Sequence, residues 1–301
     1  MSAEKYDIVI LGTGPAGLQA AIHAARKKRS VLVLGRGHKS SLYKAHVENF
    51  CCMPGMGGGE ILAAGREQAE KFGARFLDED VIKIERELDN SFLLSTEGGR
   101  RLTAKALILA MGISRHHLGV PGEKELLGRG VSYCVDCDGN FFRGLPVAVV
   151  GGESAAVAGA LQLLFFASEV HLVCRKLEVS GPLAESLGDS AVILHQGAWP
   201  QEIQGDKEVD GLLLDNGQSL AVKGVFIELG AKGAIELAAS LGVNLDPENM
   251  QYVLADKKGR TNVEGIFAAG DITGPPWQMA KAVGEGCVAG LEAAAFVKGS
   301  A

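Results

Sequence analysis

Tyr6-Asp-Ile-Val-Ile-Leu11-Gly12-Thr13-Gly14-Pro15-Ala16-Gly17 is an apolar run broken by three glycines, and it passes directly into a helical pattern over residues 18–28 and a second apolar run at Ser30-Val-Leu-Val-Leu34. Strand, glycine turn, helix and strand in that order make a βαβ unit. In such a turn the first glycine permits a tight bend, the second lets a pyrophosphate approach the backbone, and the third lets helix and strand pack closely. Pro15 suits the first helical turn, where no amide hydrogen is needed. A bare glycine pattern is weak evidence, but here it follows a strand at the very N-terminus and opens a helix. Gly12, Gly14, Pro15, Ala16 and Gly17 are therefore expected to bind a dinucleotide. One element of the pattern is missing: the second strand ends in Gly35-Arg36-Gly37, with no acidic residue to hold a ribose hydroxyl.

Working outward, the same design begins again at Pro146-Val-Ala-Val-Val150, turns at Gly151-Gly152-Glu153, continues as a helix to Ala167 and returns as Glu169-Val-His-Leu-Val173. The chain thus carries an imperfect internal repeat. Alternating apolar residues over 75–86 and 91–96, ending in Leu107-Ile-Leu-Ala110, read as extra strands of the first unit. Strand patterns over 192–203, 209–214 and 224–229 follow the second unit. Gly265-Ile-Phe-Ala-Ala-Gly270-Asp271 then introduces a last helix from Met279 to Val297. The fold class is α/β, with two Rossmann-like, doubly wound domains. Residues 1–115 and 246–301 are expected to form a discontinuous domain and residues 116–245 a smaller inserted one, with hinges over 113–119 and 242–249.

With 301 residues and 47% hydrophobic content, the chain is near the length at which one core divides into two. Its 41 glycines against 9 prolines suit tight turns rather than disorder. A net charge of −6 without any basic stripe gives a nucleic-acid role no electrostatic support. Met1-Ser-Ala-Glu-Lys5 leads straight into an apolar strand without the features of a secretion signal, and no apolar run is long enough to span a bilayer. Cytoplasmic residence is the default expectation. Six cysteines in that setting point to redox or metal chemistry rather than a structural disulfide framework.

The strongest chemical signal is Ser132-Tyr-Cys134-Val-Asp-Cys137-Asp138-Gly139. Two thiols three residues apart can close a small, easily reduced disulfide, and Asp138 can carry the proton that thiol–disulfide exchange requires. A zinc site needs two further ligands, and Cys51-Cys52 is poorly spaced to supply them. Inert structural thiols are the other alternative.

Cys134-Val-Asp-Cys137-Asp138-Gly139 resembles the C-A-T-C-D-G centre of the low-molecular-weight thioredoxin reductases. Further matches are Glu48-Asn49-Phe50, Ala110-Met-Gly112, residues 259–271, Gln278 and Gly286-Cys287, in an order that spans nearly the whole chain. The resemblance implies a non-covalent FAD in the first domain, at the N-terminal glycine turn with Gly112 and Gly270. It also implies Asp271 on the ribitol chain, Gln278 near the flavin ring and Asn49 lining the site. It gives Cys137 the side facing the flavin, Cys134 the attack on the substrate disulfide, and Asp138 the acid–base role. Thioredoxin or a thioredoxin-like protein would be the substrate. A homodimer is usual, as is a domain rotation that alternates the cysteine pair between flavin and partner. No metal is implied.

The chain departs from that pattern where ordinary members bind NADPH. Glu153 replaces the second glycine of the GxGxxA turn, adding bulk and negative charge where a pyrophosphate approaches a helix N-terminus. One like-charge contact near 4 Å costs about 4 kcal/mol at an effective dielectric of about 20, close to a thousandfold in affinity. The family's histidine and two arginines for the 2′-phosphate appear as Cys174-Arg175-Lys176. The favoured reading is a reductase fed by another donor, ferredoxin being the known kind. An ordinary NADPH-dependent enzyme and a non-catalytic flavin redox sensor are the alternatives. Cys51 and Cys52 stand where relatives commonly have Pro-Gly; a further redox thiol is the alternative there, but both are expected simply to pack, as are Cys174 and Cys287. His116 and His117 are expected in a solvated linker.

Overall fold

The computed structural model describes residues 3–53, 55–112, 117–229, 233–247 and 252–299. The chain separates into two units, each with its own sheet. Residues 113–116 and 248–251 lie outside the described residues, and with them His116 and parts of both expected hinges.

The first unit starts with β1 (Glu4–Leu11), α1 (Pro15–Arg26) and β2 (Val31–Leu34). Ile8, Val9, Ile10 and Leu11 are buried, as a parallel strand covered on both faces requires. A two-stranded ribbon, β3 (His46–Val47) with β4 (Met56–Gly57), precedes α2 (Gly58–Lys71). Then come β5 (Arg75–Leu77), β6 (Val81–Arg86), β7 (Phe92–Thr96) and β8 (Arg101–Leu109). The apolar stretch over 75–86 is therefore two strands rather than one: β5 pairs in parallel with β2, and β6 pairs antiparallel with β7.

The second unit holds β9 (Val131–Ser132), α3 (Val135–Asp138), β10 (Pro146–Val150), α4 (Ser154–Leu163), β11 (Glu169–Cys174), α5 (Gly181–Gly188) and β12 (Ile193–Gln196). An antiparallel meander of β13 (Pro200–Gln204), β14 (Gly211–Leu214) and β15 (Ser219–Leu220) leads to β16 (Gly224–Ile227). The parallel sheet runs β12-β11-β10-β16-β9, so β9 is an edge strand. Helix α4 ends at Leu163, one turn short of the sequence expectation, in tight turns that bring Ala167 N–H back to the Leu163 carbonyl.

After α6 (Ala234–Ser240), the chain supplies β17 (Ile266–Ala268) and α7 (Met279–Gly299) to the first sheet, whose order is β5-β2-β1-β8-β7-β6. β8 makes the return possible. Its first half pairs with β7, and its last residues, Leu107 to Leu109, accept β17 in parallel register. Helix α7 then lies on α1 through small residues. A Cβ on Gly286 would fall 2.2 Å from the Ala16 carbonyl oxygen, and one on Gly290 2.5 Å from that of Ala20. Both helices are alanine-rich at this seam, and Ala20, Ala24, Ala289 and Ala293 are completely buried.

A side chain at Gly290 has no space and no flexible neighbour to displace, so the helices must separate. Gly290→Leu is expected to destabilise the protein by about 1–3 kcal/mol, the usual cost of overpacking. A lowered urea midpoint in far-ultraviolet dichroism checks this, and an unchanged midpoint would show that the seam is loose.

Candidate active site

Edge strand β9 delivers the chain to Cys134, and α3 begins at the next residue. Ser132, 5% exposed, fixes this turn. Its hydroxyl donates to Asp138 Oδ2 at 2.6 Å and accepts the Cys134 N–H at 3.0 Å. The Asp138 N–H closes the turn onto the Cys134 carbonyl at 3.1 Å. Val135 anchors the turn from below: its side chain is buried, with Cγ2 against Gly159 of α4, and its N–H donates to Glu228 Oε1 at 3.2 Å. Cys134 is disulfide-bonded. The side chain of Cys137 lies outside the described residues.

A second cluster supports the residue before the cysteine. The Tyr133 hydroxyl donates to Glu123 Oε1 at 2.7 Å and lies 2.9 Å from His117 Nδ1. Glu123 also accepts the N–H groups of Leu118 at 2.9 Å and Gly119 at 2.6 Å. His117 is exposed, as expected of a solvated position, and it also joins the network around this buried carboxylate. Burial raises the Glu123 carboxyl, but the hydrogen bonds from Tyr133, the two backbone amides and His117 outweigh it and hold the group below the usual carboxylate range.

In the first unit, two of the three turn glycines have internal reasons. Gly12 has φ +113°, and a Cβ there would meet the Ala110 carbonyl oxygen at 2.2 Å. A Cβ on Gly17 would lie 1.9 Å from the Gly12 carbonyl oxygen. Gly14 differs: it is the N-cap of α1, it has negative φ, and the nearest atom to an added Cβ is Ser40 Oγ at 3.5 Å. No side chain caps the helix, and Pro15 stands in its first turn. A turn that leaves this glycine's surface open fits an anion approaching the backbone, so the residues present suit a bound dinucleotide. Ala16 faces Gly270, whose added Cβ would come within 2.9 Å of the alanine Cβ.

Gly270 begins the turn containing Asp271 and is itself pinned, its N–H donating to Glu285 and its carbonyl accepting from Lys281 Nζ. Burial pushes the Asp271 carboxyl up, Lys281 opposes this, and Glu285 adds to it. Asn49 Nδ2 donates to Gln278 Oε1 at 2.8 Å, so two residues 229 apart in sequence meet. Gly112, at φ +73°, has open space around it. Arg36, where an acidic residue was missed, ion-pairs with the buried Asp80.

The corresponding turn of the second unit is built differently. Gly151 has φ +148° and its Cβ direction ends 2.0 Å from the Glu228 carbonyl oxygen, while that of Gly152 ends 2.0 Å from the Lys176 carbonyl oxygen. The segment after β11 thus folds onto the turn, and Glu178 N–H donates to the Gly152 carbonyl at 2.6 Å. Glu153 is the N-cap of α4. Arg175 pairs with Asp215 at 2.6 Å and Lys176 with Glu178 at 2.8 Å. A cavity of about 480 Å³ opens here, lined by Glu153, Arg175, Lys176, Glu178 and Trp199 among others.

The sequence pattern of the pyridine nucleotide-disulphide oxidoreductases matches residues 6–286. The chain belongs to that family. This oxidoreductase is 35% identical to the thioredoxin reductase of Listeria monocytogenes, over 99% of the chain and 96% of the relative. It is 37% identical to the bifunctional thioredoxin reductase/thioredoxin of Mycobacterium leprae, over 96% of this chain but 65% of that longer protein. Among solved structures, the atypical thioredoxin reductase TRi from Desulfovibrio vulgaris Hildenborough superposes with a TM-score of 0.87 at 34% identity, covering 97% of this chain and 98% of that one. The ferredoxin-flavin thioredoxin reductase of Clostridium acetobutylicum gives 0.70 at 32% identity, with 99% and 100% coverage.

Three polar residues of this oxidoreductase site, Ser132, Glu123 and Glu228, were not singled out from the sequence. Ser132 could have been, since a hydroxyl six residues before Asp138 can reach it only if the intervening chain makes a turn. One expectation is overturned. Cys51 and Cys52 do not pack inside but are both exposed, because they occupy the tip of the β3–β4 ribbon. Cys174 is buried, and Cys287 is partly exposed. Among the described residues, no helix is long and apolar enough to cross a membrane.

Because the folded Glu123 group lies below its ordinary value, its contribution to stability is present at neutral pH and lost as the pH falls through the lowered value. Glu123→Gln, which cannot accept the same set of donors, is expected to cost about 1–3 kcal/mol at pH 7. Thermal melts of both proteins across pH should show this gap narrowing as the pH falls below the ordinary glutamate range and through the lowered value, where the wild-type carboxylate is itself protonated.

Proposed function

We propose that the protein is a flavin-dependent reductase of protein disulfides, of the thioredoxin reductase kind, that takes electrons from a donor other than NAD(P)H. The carrying observation is the pair of contrasting turns. Gly14 leaves a helix N-terminus open in one unit, whereas Glu153 brings a carboxylate to the N-cap position of the equivalent helix in the other, and intrachain carboxylates pair with Arg175 and Lys176. A pyrophosphate and a 2′-phosphate would have to displace both ion pairs and tolerate Glu153. The solved neighbour described as a ferredoxin-flavin thioredoxin reductase supports a one-electron protein donor such as ferredoxin.

In this reading residues 1–115 and 246–301 hold FAD, through Gly12, Gly14, Pro15, Ala16 and Gly17 at the pyrophosphate, with Asn49, Gly112, Gly270, Asp271 and Gln278 at the rest of the cofactor. Bound FAD would store two electrons and return them to the cysteine pair. Residues 116–245 carry that pair, and the disulfide at Cys134, with Cys51, Cys52, Cys174 and Cys287 all free, supports Cys137 as its partner. In the reduced state the Cys134 thiolate attacks the disulfide of a thioredoxin-like protein. A Cys134–substrate bond forms as the substrate S–S bond breaks, and the leaving thiolate takes a proton from Asp138. Cys137 then attacks Cys134, releasing the second substrate thiol and restoring the Cys134–Cys137 disulfide. Ser132 positions Asp138 for that proton transfer.

The test is anaerobic. NADPH and NADH, added separately, should leave the visible flavin band oxidised, while dithionite should bleach it. Oxidised thioredoxin should then restore the band, and in Cys134→Ser that recovery should be lost. Rapid bleaching by NADPH would make this an ordinary NADPH-dependent reductase and remove the argument from Glu153.

A further inference from the structure

Cys51 and Cys52 take no part in the proposed reaction, and their placement is unusual. They are the two central residues of a reverse turn closed by Met53 N–H on the Phe50 carbonyl at 3.1 Å, at the tip of the ribbon formed by β3 and β4. Cys52 has φ +66°, a left-handed conformation that a residue with a Cβ rarely adopts and that usually falls to glycine in this type of turn. Both side chains are exposed, and their sulfurs stand 3.4 Å apart. Two adjacent residues in an ordinary strand point to opposite faces. Here the turn sets both thiols on one side, in solvent.

We propose that Cys51 and Cys52 form a second thiol–disulfide couple, which closes to a vicinal disulfide by exchange with a low-molecular-weight disulfide of the oxidised glutathione class. One cysteine thiolate attacks the small disulfide, forming a mixed disulfide and releasing one small thiol. The neighbouring cysteine, as thiolate, attacks the protein sulfur, closing the Cys51–Cys52 bond and expelling the second small thiol. Two electrons and two protons pass from the cysteine pair to the small disulfide, whose S–S bond is the one broken. Closure needs the sulfurs to move from 3.4 Å to a bond length of about 2.05 Å, and because adjacent Cα atoms stand about 3.8 Å apart, below the roughly 4.4 Å lower end usual for a disulfide, the peptide between them twists as the side chains rotate. Exposure gives the small disulfide access, which a buried thiol would deny. The couple begins two residues beyond Asn49, whose side chain donates to Gln278.

The intact wild-type holoprotein serves for the deciding measurement, and one variant supplies a control. Samples are equilibrated in glutathione buffers of increasing oxidised share, quenched in acid, alkylated and digested with trypsin. Residues 45–66 form one tryptic peptide holding both cysteines and no other. The expected result is all-or-none: the doubly alkylated peptide gives way to an unlabelled one two hydrogens lighter, without a stable glutathione adduct. Cys51→Ser should abolish that species and leave a single glutathione adduct at Cys52. Retention of both labels across the series would overturn the proposal, as would an end state carrying glutathione on either cysteine of the wild-type peptide. Neither readout depends on the flavin or on the electron donor.

Discussion

Everything in the first unit hangs on the approach of α7 to the backbone of α1. Gly286 and Gly290 bring one helix to within contact of the carbonyl groups of Ala16 and Ala20, and on the sheet side Gly17 does the same against Gly12. Helix α1 is thereby held on both flanks by positions that accept no Cβ. Its partner α7 comes from the far end of the chain, so the unit is complete only when the chain has left, built a second unit and returned. β8 anticipates that return by leaving its last residues free of β7 for β17. The same seam sets Gly270 beside Ala16, which ties the Asp271 turn to the glycine turn.

The two βαβ units show how one backbone plan serves opposite electrostatic ends. In the first, the N-terminus of α1 carries no acidic residue and no capping side chain, and its partial positive charge is open to an anion. In the second, the equivalent end of α4 has Glu153 at the N-cap. Its side chain makes no capping hydrogen bond to the helix; what it brings to this end is bulk and negative charge. Close packing of Gly151 against Glu228, and of Gly152 against Lys176, keeps both glycines necessary even though the third position no longer is one.

Much of this was legible in the chain itself, because the features concerned are local. The glycine turns, the cysteine spacing and the apolar strands each fall within about a dozen residues, and periodicity reports them directly. The last helix runs from Met279 as its pattern indicated. What escaped were pairings between distant positions. Asn49 with Gln278 and Glu228 with the Val135 amide depend on which segments become neighbours, and no local pattern encodes that. The exposure of Cys51 and Cys52 was misjudged for a related reason. Cysteine is usually buried, and nothing in the sequence around Phe50 marks the tip of a ribbon.

The ion pairs on the rim of the second turn bear on what it would take to seat a phosphate there. Arg175 pairs with Asp215, Lys176 with Glu178, and the Glu178 amide with the Gly152 carbonyl. Replacing Glu153 by glycine would remove one obstacle and leave the others standing. Each remaining step, taken alone, would break an interaction without yet gaining a ligand. On the reading proposed above, such a surface would gain a nucleotide only through several substitutions made together, because no single one of them frees the turn.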